Sequence, residues 1–425
     1  MSKPVLRPLS LLVDLVTDRT LARKDLSKAY VGLEHIPSSG STLMHVGSAQ
    51  ESVSTNGIFR EGDILFGKLR PRLRKSVRVR ISGYCSTDVL VLRPRSDVDH
   101  AFAGYVAQSD AVFVRAIQTE EGTKMPRCSW KDLKAVKVFA PIDTGVQQRI
   151  AAVLARVDEA IERTGELIEK HQHIKAGLMQ DLFMCGVLAS GELRQQLDAA
   201  PSLYREGPAG VIPAEWEVAT AGSLCSLVTK GTTPAAADMW EGDEGIRFLR
   251  VDNLTFDGQL SFGASEFRIA PFTHASTLAR SRCGAGDVLM NIVGPPLGKV
   301  GLVSEEDGGI NINQAIAVFR PGGRVLSRFL LLWLTTDTAK RWILQRGKQT
   351  SGQVNVTLAM CQALPVPLPT LEEQSRIVAR ISPSDSTLRL LAMRLEKVRA
   401  QKLGLMQDLL TGKVAVKVPE PAIPA

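Results

Sequence analysis

Five cations crowd into eight residues at Lys68-Leu69-Arg70-Pro71-Arg72-Leu73-Arg74-Lys75, with Arg78 and Arg80 close behind. The run follows the apolar segment Asp63-Ile64-Leu65-Phe66, which places it on a turn where charge stays in solvent. Cations so placed neutralise phosphates and gain affinity by releasing counterions, and an arginine fork also matches the O6 and N7 acceptors of guanine. The plainer reading is a solvated strand edge. Other polar loop residues suited to the same chemistry are Lys124 and Arg127, then Lys230, Thr232 and Thr233, Asn253, Lys299, Gln314, and Lys348, Gln349 and Gln353. Their side chains can hydrogen-bond base edges, but such residues are also common in loops for conformational reasons.

Catalytic chemistry is harder to find. The chain has no phosphate-binding loop, no dinucleotide glycine fingerprint, no His-Glu-x-x-His and no Gly-x-Ser-x-Gly. Glu61, Asp63 and Lys68 are close enough in sequence to suggest a metal-dependent nuclease. A Gly-Asp-Ile-Leu turn running into a strand accounts for them better, because the related segment at Asp287 lacks both the second acid and the lysine. The six histidines show no ligand spacing, and the six cysteines are scattered without a C-x-x-C pair. Neither a metal site nor a catalytic centre is expected.

A net charge of +8 and a pI near 9.2 favour an anionic partner. Hydrophobic content of 44% with 23% charged residues describes a globular protein, and no apolar run reaches the roughly 20 residues of a membrane span. Met1 to Ser10 lacks the apolar core of a secretory signal, so a cytoplasmic location is expected.

What must position the loops is a repeat. Gln147-Gln148-Arg149-Ile150 leads to Gly177-Leu178-Met179-Gln180-Asp181-Leu182, and Gln374-Ser375-Arg376-Ile377 leads to Gly404-Leu405-Met406-Gln407-Asp408-Leu409. Residues 147 and 374 stand 227 apart, as do 177 and 404, so the copies keep one register. Ile150, Leu154, Val157, Ile161, Ile168, Leu178 and Leu182 form a narrow stripe, with Thr164, His171 and Lys175 filling the same seam. Ile377, Ile381, Leu388, Leu391, Leu395, Val398, Leu405 and Leu409 repeat it, interrupted by Ser384 and Lys402. Such stripes predict two long helices paired as a coiled coil. Pro383 predicts a kink or restart, with Ser384 or Asp385 capping a second segment.

The repeat reaches upstream, where Arg93-Pro94 answers Arg320-Pro321 and Gly62-Asp63-Ile64-Leu65 answers Gly286-Asp287-Val288-Leu289. Short β-branched runs at residues 63–66, 77–81, 89–92 and 136–139 predict strands, and residues 100–117 a helix. The second head repeats this plan, with strands near 248–251 and 316–319 and a helix near 326–344.

With these residues the chain resembles the specificity (S) subunit of type I restriction-modification systems. The likeness rests on both Gln-led helices that close with Gly-Leu-Met-Gln-Asp-Leu, on Ile212-Pro213-Ala214-Glu215-Trp216-Glu217, on Lys230-Gly231-Thr232-Thr233-Pro234, on Phe248 to Asn253 and on Leu410-Thr411-Gly412-Lys413-Val414. Glu215 departs from the glycine often found before the tryptophan, and Pro383 departs from an uninterrupted distal helix. The resemblance implies an α+β protein in which two mixed α/β target-recognition domains are separated by a pair of long antiparallel coiled-coil helices, a pseudo-two-fold internal repeat. The expected parts are a first target-recognition domain at 1–145, a central helical region at 146–187, a connector at 188–210, a second domain at 211–370, a distal helical region at 371–415 and a disordered tail at 416–425. It further implies a non-catalytic subunit that reads a split double-stranded DNA site, the helices setting the spacer, and binds no cofactor itself. Two methyltransferase (M) subunits would carry S-adenosylmethionine, and restriction (R) subunits would use ATP and Mg²⁺. A coiled-coil scaffold whose basic heads bind RNA or a protein is the alternative. Single-strand binders need aromatic stacking platforms, and an aromatic content of 5% favours duplex DNA.

Overall fold

The structure, a computed structural model, describes residues 5–21, 27–38, 40–51, 54–263, 266–294, 296–350 and 353–416. The tail expected to be disordered lies outside the described residues from 417 onward. Two helices dominate, Thr144–Cys185 and Leu371–Leu409. The chain groups into two compact units, Met1–Ile168 with Leu390–Ala425, and Glu169–Arg389. Each unit thus joins one head to a portion of both long helices.

In the first unit a four-stranded antiparallel sheet runs in the order Val13–Val16, Val89–Pro94, Ile64–Gly67, Ser76–Arg78. The second unit has the same sheet as Cys225–Lys230, Ile316–Pro321, Val288–Asn291, Val300–Leu302. A five-stranded sheet accompanies each, with one parallel pair, Ala29–Val31 beside Gly83–Cys85 and Ile246–Leu249 beside Ile310–Ile312. Each expected head helix is split in two, as His100–Ala107 and Asp110–Gln118, and as Ser327–Thr335 and Asp337–Arg346. In the second unit the break is made by Thr336, whose hydroxyl accepts from the Ala339 amide and so starts a new helix. Tyr204–Gly207, inside the stretch expected to be an irregular connector, pairs with Gly210–Pro213 at its end.

One ion pair recurs at the heart of each head. Asp63 is buried, and both its oxygens accept from Arg93, Nε at 2.8 Å and a terminal nitrogen at 2.7 Å. Asp287 and Arg320 repeat the fork at the same two distances. Asp63 also accepts from the Arg60 amide, and Asp287 from the Gly284 amide, each at 2.9 Å. The Asp-turn of the sequence is therefore a structural brace, with both Asp63 oxygens engaged inside the head.

Each head is fastened to its helix by a glutamine. Buried Gln147 accepts from the Asp99 amide at 2.8 Å and donates to the Pro141 carbonyl at 2.7 Å. Buried Gln374 accepts from the Leu326 amide at 2.9 Å and donates to the carbonyls of Arg324 and Pro369, both at 3.0 Å. The glutamine that opens each sequence motif thus satisfies backbone groups that would otherwise be buried without partners.

The apolar residues of the helix seam are fully buried only near its ends. In the first unit Ile150 and Leu154 pack with Leu409 and Leu410, and in the second Leu182 and Phe183 pack with Ile377 and Ile381. Early residues of one helix thus meet late residues of the other, which is antiparallel pairing in both units. Between these ends Val157, Ile161, Ile168, Leu391, Leu395 and Val398 are only partly buried. Buried charges sit between the apolar layers: Asp158 Oδ1 lies 2.7 Å from Lys402 Nζ, and Asp385 Oδ1 lies 2.6 Å from Lys175 Nζ. Tyr105 donates to the other Asp158 oxygen at 2.7 Å, and Arg328 pairs with the other Asp385 oxygen. Burial and the Asp158 charge together push the Tyr105 pKa upward, which keeps its hydroxyl a donor.

Pro383 does not end the distal helix, contrary to the expected restart. It lies on the exposed side, where water can satisfy the carbonyl that it leaves without a partner. Asp385, expected as a cap, instead faces inward to Lys175 and Arg328.

Removing one member of a buried pair leaves the other charged and uncompensated. Asp158→Leu is therefore expected to cost about 3–5 kcal/mol in urea unfolding, and Asp158→Leu combined with Lys402→Met to recover most of it. Equal loss in the single and double variants would count against the pair.

Candidate nucleic-acid interface

The basic run forms the turn between Ile64–Gly67 and Ser76–Arg78, with Pro71–Leu73 as a short 3-10 turn. A second loop comes to meet it: Leu69 bridges to Arg127, and the Arg70 amide donates to the Pro126 carbonyl at 2.7 Å. Lys124 and Arg127 thereby join Lys68, Arg70, Arg72, Arg74 and Lys75 in one patch.

Most of those cations are already engaged. Arg72 donates to Glu120 at 2.8 Å, and Arg127 to Asp88 at 2.9 Å. Arg74 donates to Asp110 at 2.5 Å and lies over the Phe113 ring, 4.9 Å from its centroid. Lys75 donates to the Leu33 carbonyl at 2.6 Å. The Asp88 hydrogen bond raises the Arg127 pKa, so that guanidinium stays charged at any working pH. Among the described residues the side chains of Lys68, Arg70 and Lys124 have no hydrogen-bonding or ion-pair partner, and Arg70 and Lys124 are exposed. Sequence reasoning missed Asp88, Asp110 and Glu120, since they lie 36 to 48 residues from the arginines they hold.

The second unit builds the equivalent place from different residues. The turn after Val288–Asn291 meets Gln353–Asn355 through Val293–Gly294, with Val293 opposite Asn355 and Gly294 opposite Val354. Lys348 and Gln349 lie on the neighbouring strand Lys348–Thr350, but the side chains of Lys348, Gln349 and Gln353 are outside the described residues. Lys299 is half-buried, and its amide donates to Asn291 at 2.9 Å. Near the strand Ile310–Ile312, Thr233 hydrogen-bonds Gln314, while Lys230 and Thr232 are exposed beside them. Asn253 faces inward on its own turn: its oxygen accepts from the Arg250 amide at 2.9 Å and its amide donates to the Ser261 carbonyl at 3.0 Å. Its role is that of a turn brace.

Residues 213–400 match the family model described as the type I restriction modification DNA specificity domain. The type I restriction enzyme MjaVIII specificity subunit of Methanocaldococcus jannaschii is 23% identical over 340 residues, spanning 79% of this chain and 75% of that one. By these matches the chain is similar to the specificity subunits of type I restriction-modification systems. The EcoBI specificity subunit of Escherichia coli is 30% identical over a shorter stretch, 32% of this chain and 28% of its own. A crystal structure of the type I restriction-modification S subunit from M. genitalium superposes with a TM-score of 0.53 at 14% identity, over 96% of this chain and 97% of that one. It shares the fold of mixed heads and long helices. The family domain model covers the second head and most of the distal helix, and the first head carries the same sheet order, Asp–Arg fork and glutamine fastening.

No group of three or more His, Cys, Asp or Glu is placed to hold a metal among the described residues, and no helix there is long and apolar enough to cross a membrane. Five of the cysteines are held as thiols. Burial pushes Cys85, Cys225 and Cys361 up to about 12 and Cys128 up to about 11, and raises Cys283 as well. At pH 8 a disulfide-exchange reagent is therefore expected to react slowly with the folded protein, and with all six thiols once the chain is unfolded in denaturant. Rapid labelling of any of these five in the native state would contradict it.

Proposed function

We propose that this chain is the DNA sequence-specificity subunit of a type I restriction-modification complex and that it binds a split, asymmetric double-stranded site. The observation that carries the reading is a common scaffold with unlike contact loops. Both heads brace their sheets with an Asp–Arg fork and fasten to a helix by glutamine, yet the arginine turn of the first is replaced by Gly294, Pro296 and Gly298 in the second. A pseudo-symmetric protein with two different reading surfaces suits a non-palindromic duplex. The contact residues proposed in the first head are Lys68, Arg70 and Lys124, with Arg72, Arg74, Lys75 and Arg127 shaping the patch and adding positive field. In the second head they are Lys230, Thr232, Thr233, Lys299, Gln314, Lys348, Gln349 and Gln353.

The chain itself carries out no catalysis in this reading. Two methyltransferase subunits bearing S-adenosylmethionine would dock on it and modify adenine, and restriction subunits using ATP and Mg²⁺ would complete the assembly in the cytoplasm. Methylation mapping of host DNA tests this directly. A split motif with modified adenine in both halves is expected, and it should vanish when the gene for this chain is deleted. Persistence of every methylated motif after deletion would remove the assignment.

A further inference from the structure

Two residues other than glycine adopt a left-handed backbone among the described residues, and both lie in the arginine turn: Arg70 at φ 50° and Arg74 at φ 51°. For an L-residue with a side chain this conformation is disfavoured, and it persists only where the surroundings impose it. Here they do: the Arg70 amide is held by the Pro126 carbonyl at 2.7 Å, and its own carbonyl accepts from the Leu73 amide at 2.9 Å. The second head shows at one of the two places how the cost is avoided. By strand register, Ile64 answers Val288 and Ser76 answers Val300, so Arg70 and Arg74 answer Gly294 and Gly298. Gly298 keeps the left-handed φ, at 98°, without a side chain to strain it. The first head retains arginine at both places, which points to what the side chains do.

For Arg74 the structure supplies the answer, a bond to Asp110 and a seat over Phe113 that hold the turn. Arg70 has no such internal task. Its guanidinium is exposed and has no partner among the described residues, whereas the forks of Arg72 and Arg127 are taken by Glu120 and Asp88. Lys68 and Lys124 are point charges that can meet phosphate but cannot present two parallel donors. Resting on the function proposed above, we infer that Arg70 is the base-reading residue of the first head, its fork directed at the O6 and N7 of a guanine in that half-site. A phosphate contact needed by both heads would be kept in both. At Gly294 even a Cβ would come within 2.8 Å of the Pro296 carbonyl, so the second head excludes any side chain there. The position differs between heads as a specificity contact should.

The test uses the chain assembled with its methyltransferase partners, and binding by competition to duplexes in which each base pair of the half-site is changed in turn. Arg70→Gly is expected to fold with an unfolding temperature no lower than the parent, since glycine suits the backbone there. It should bind the cognate site roughly 5- to 150-fold more weakly and lose preference at a single G·C pair, all other positions keeping theirs. Arg70→Lys should lose the same preference, and Arg72→Ala should keep it. Parental discrimination at every position in Arg70→Gly would overturn the inference. So would uniform weakening on all sequences with the salt slope reduced by about one, the signature of a phosphate contact. Failure of the underlying function would look different, since the parental complex would then show no split-site preference at all.

Discussion

Four buried charges decide how the long helices meet. Asp158 and Lys175 lie on the first, Asp385 and Lys402 on the second, and each is less than a tenth exposed. An ion taken from water into a seam costs several kcal/mol unless it meets its opposite at close range. Because each helix carries aspartate first and lysine second, and the two sets stand 227 residues apart, antiparallel packing places every acid on a base. A parallel alignment in the repeat's own register would set aspartate against aspartate and lysine against lysine. The apolar stripe alone tolerates several registers, so its leucines supply the affinity and these pairs the choice.

Each head repeats the other's internal contacts. The Asp–Arg forks share their two distances, the glutamines share their backbone partners in kind, and each five-stranded sheet has its single parallel pair in the same place. Among the positions shared by the repeats are buried polar groups with several obligations to meet, Asp63 and Asp287, Gln147 and Gln374, Asp158 and Asp385, where few residue types would serve. In the loops the heads diverge, each meeting its obligations with its own residues.

That division also explains what the sequence could tell. The seam residues, the strands around Ile64, Val89 and Ile316, and the repeat itself were legible because periodicity and register are local properties. The basic turn was legible as a turn, and its union with Lys124 and Arg127 follows from pairings that only the fold reveals. Nothing local announced that Glu120, Asp110 and Asp88 would occupy three of its arginines, since each acid is distant in the chain. Asn253 read as a loop side chain free to bond a base, yet its amide closes its own turn. Pro383 read as a break because proline rules consider the helix alone; an exposed position and the inward pull on Asp385 outweigh them.

The glutamine fastenings carry an evolutionary consequence. Gln147 and Gln374 hold their heads wholly through main-chain amides and carbonyls, which every amino-acid sequence supplies. These two fastenings are therefore indifferent to side-chain identity, whereas Tyr105 on Asp158 and Arg328 on Asp385 tie each head to its helix through side chains. Substitutions in loops that meet neither the glutamines nor those two aspartates leave both kinds of attachment in place.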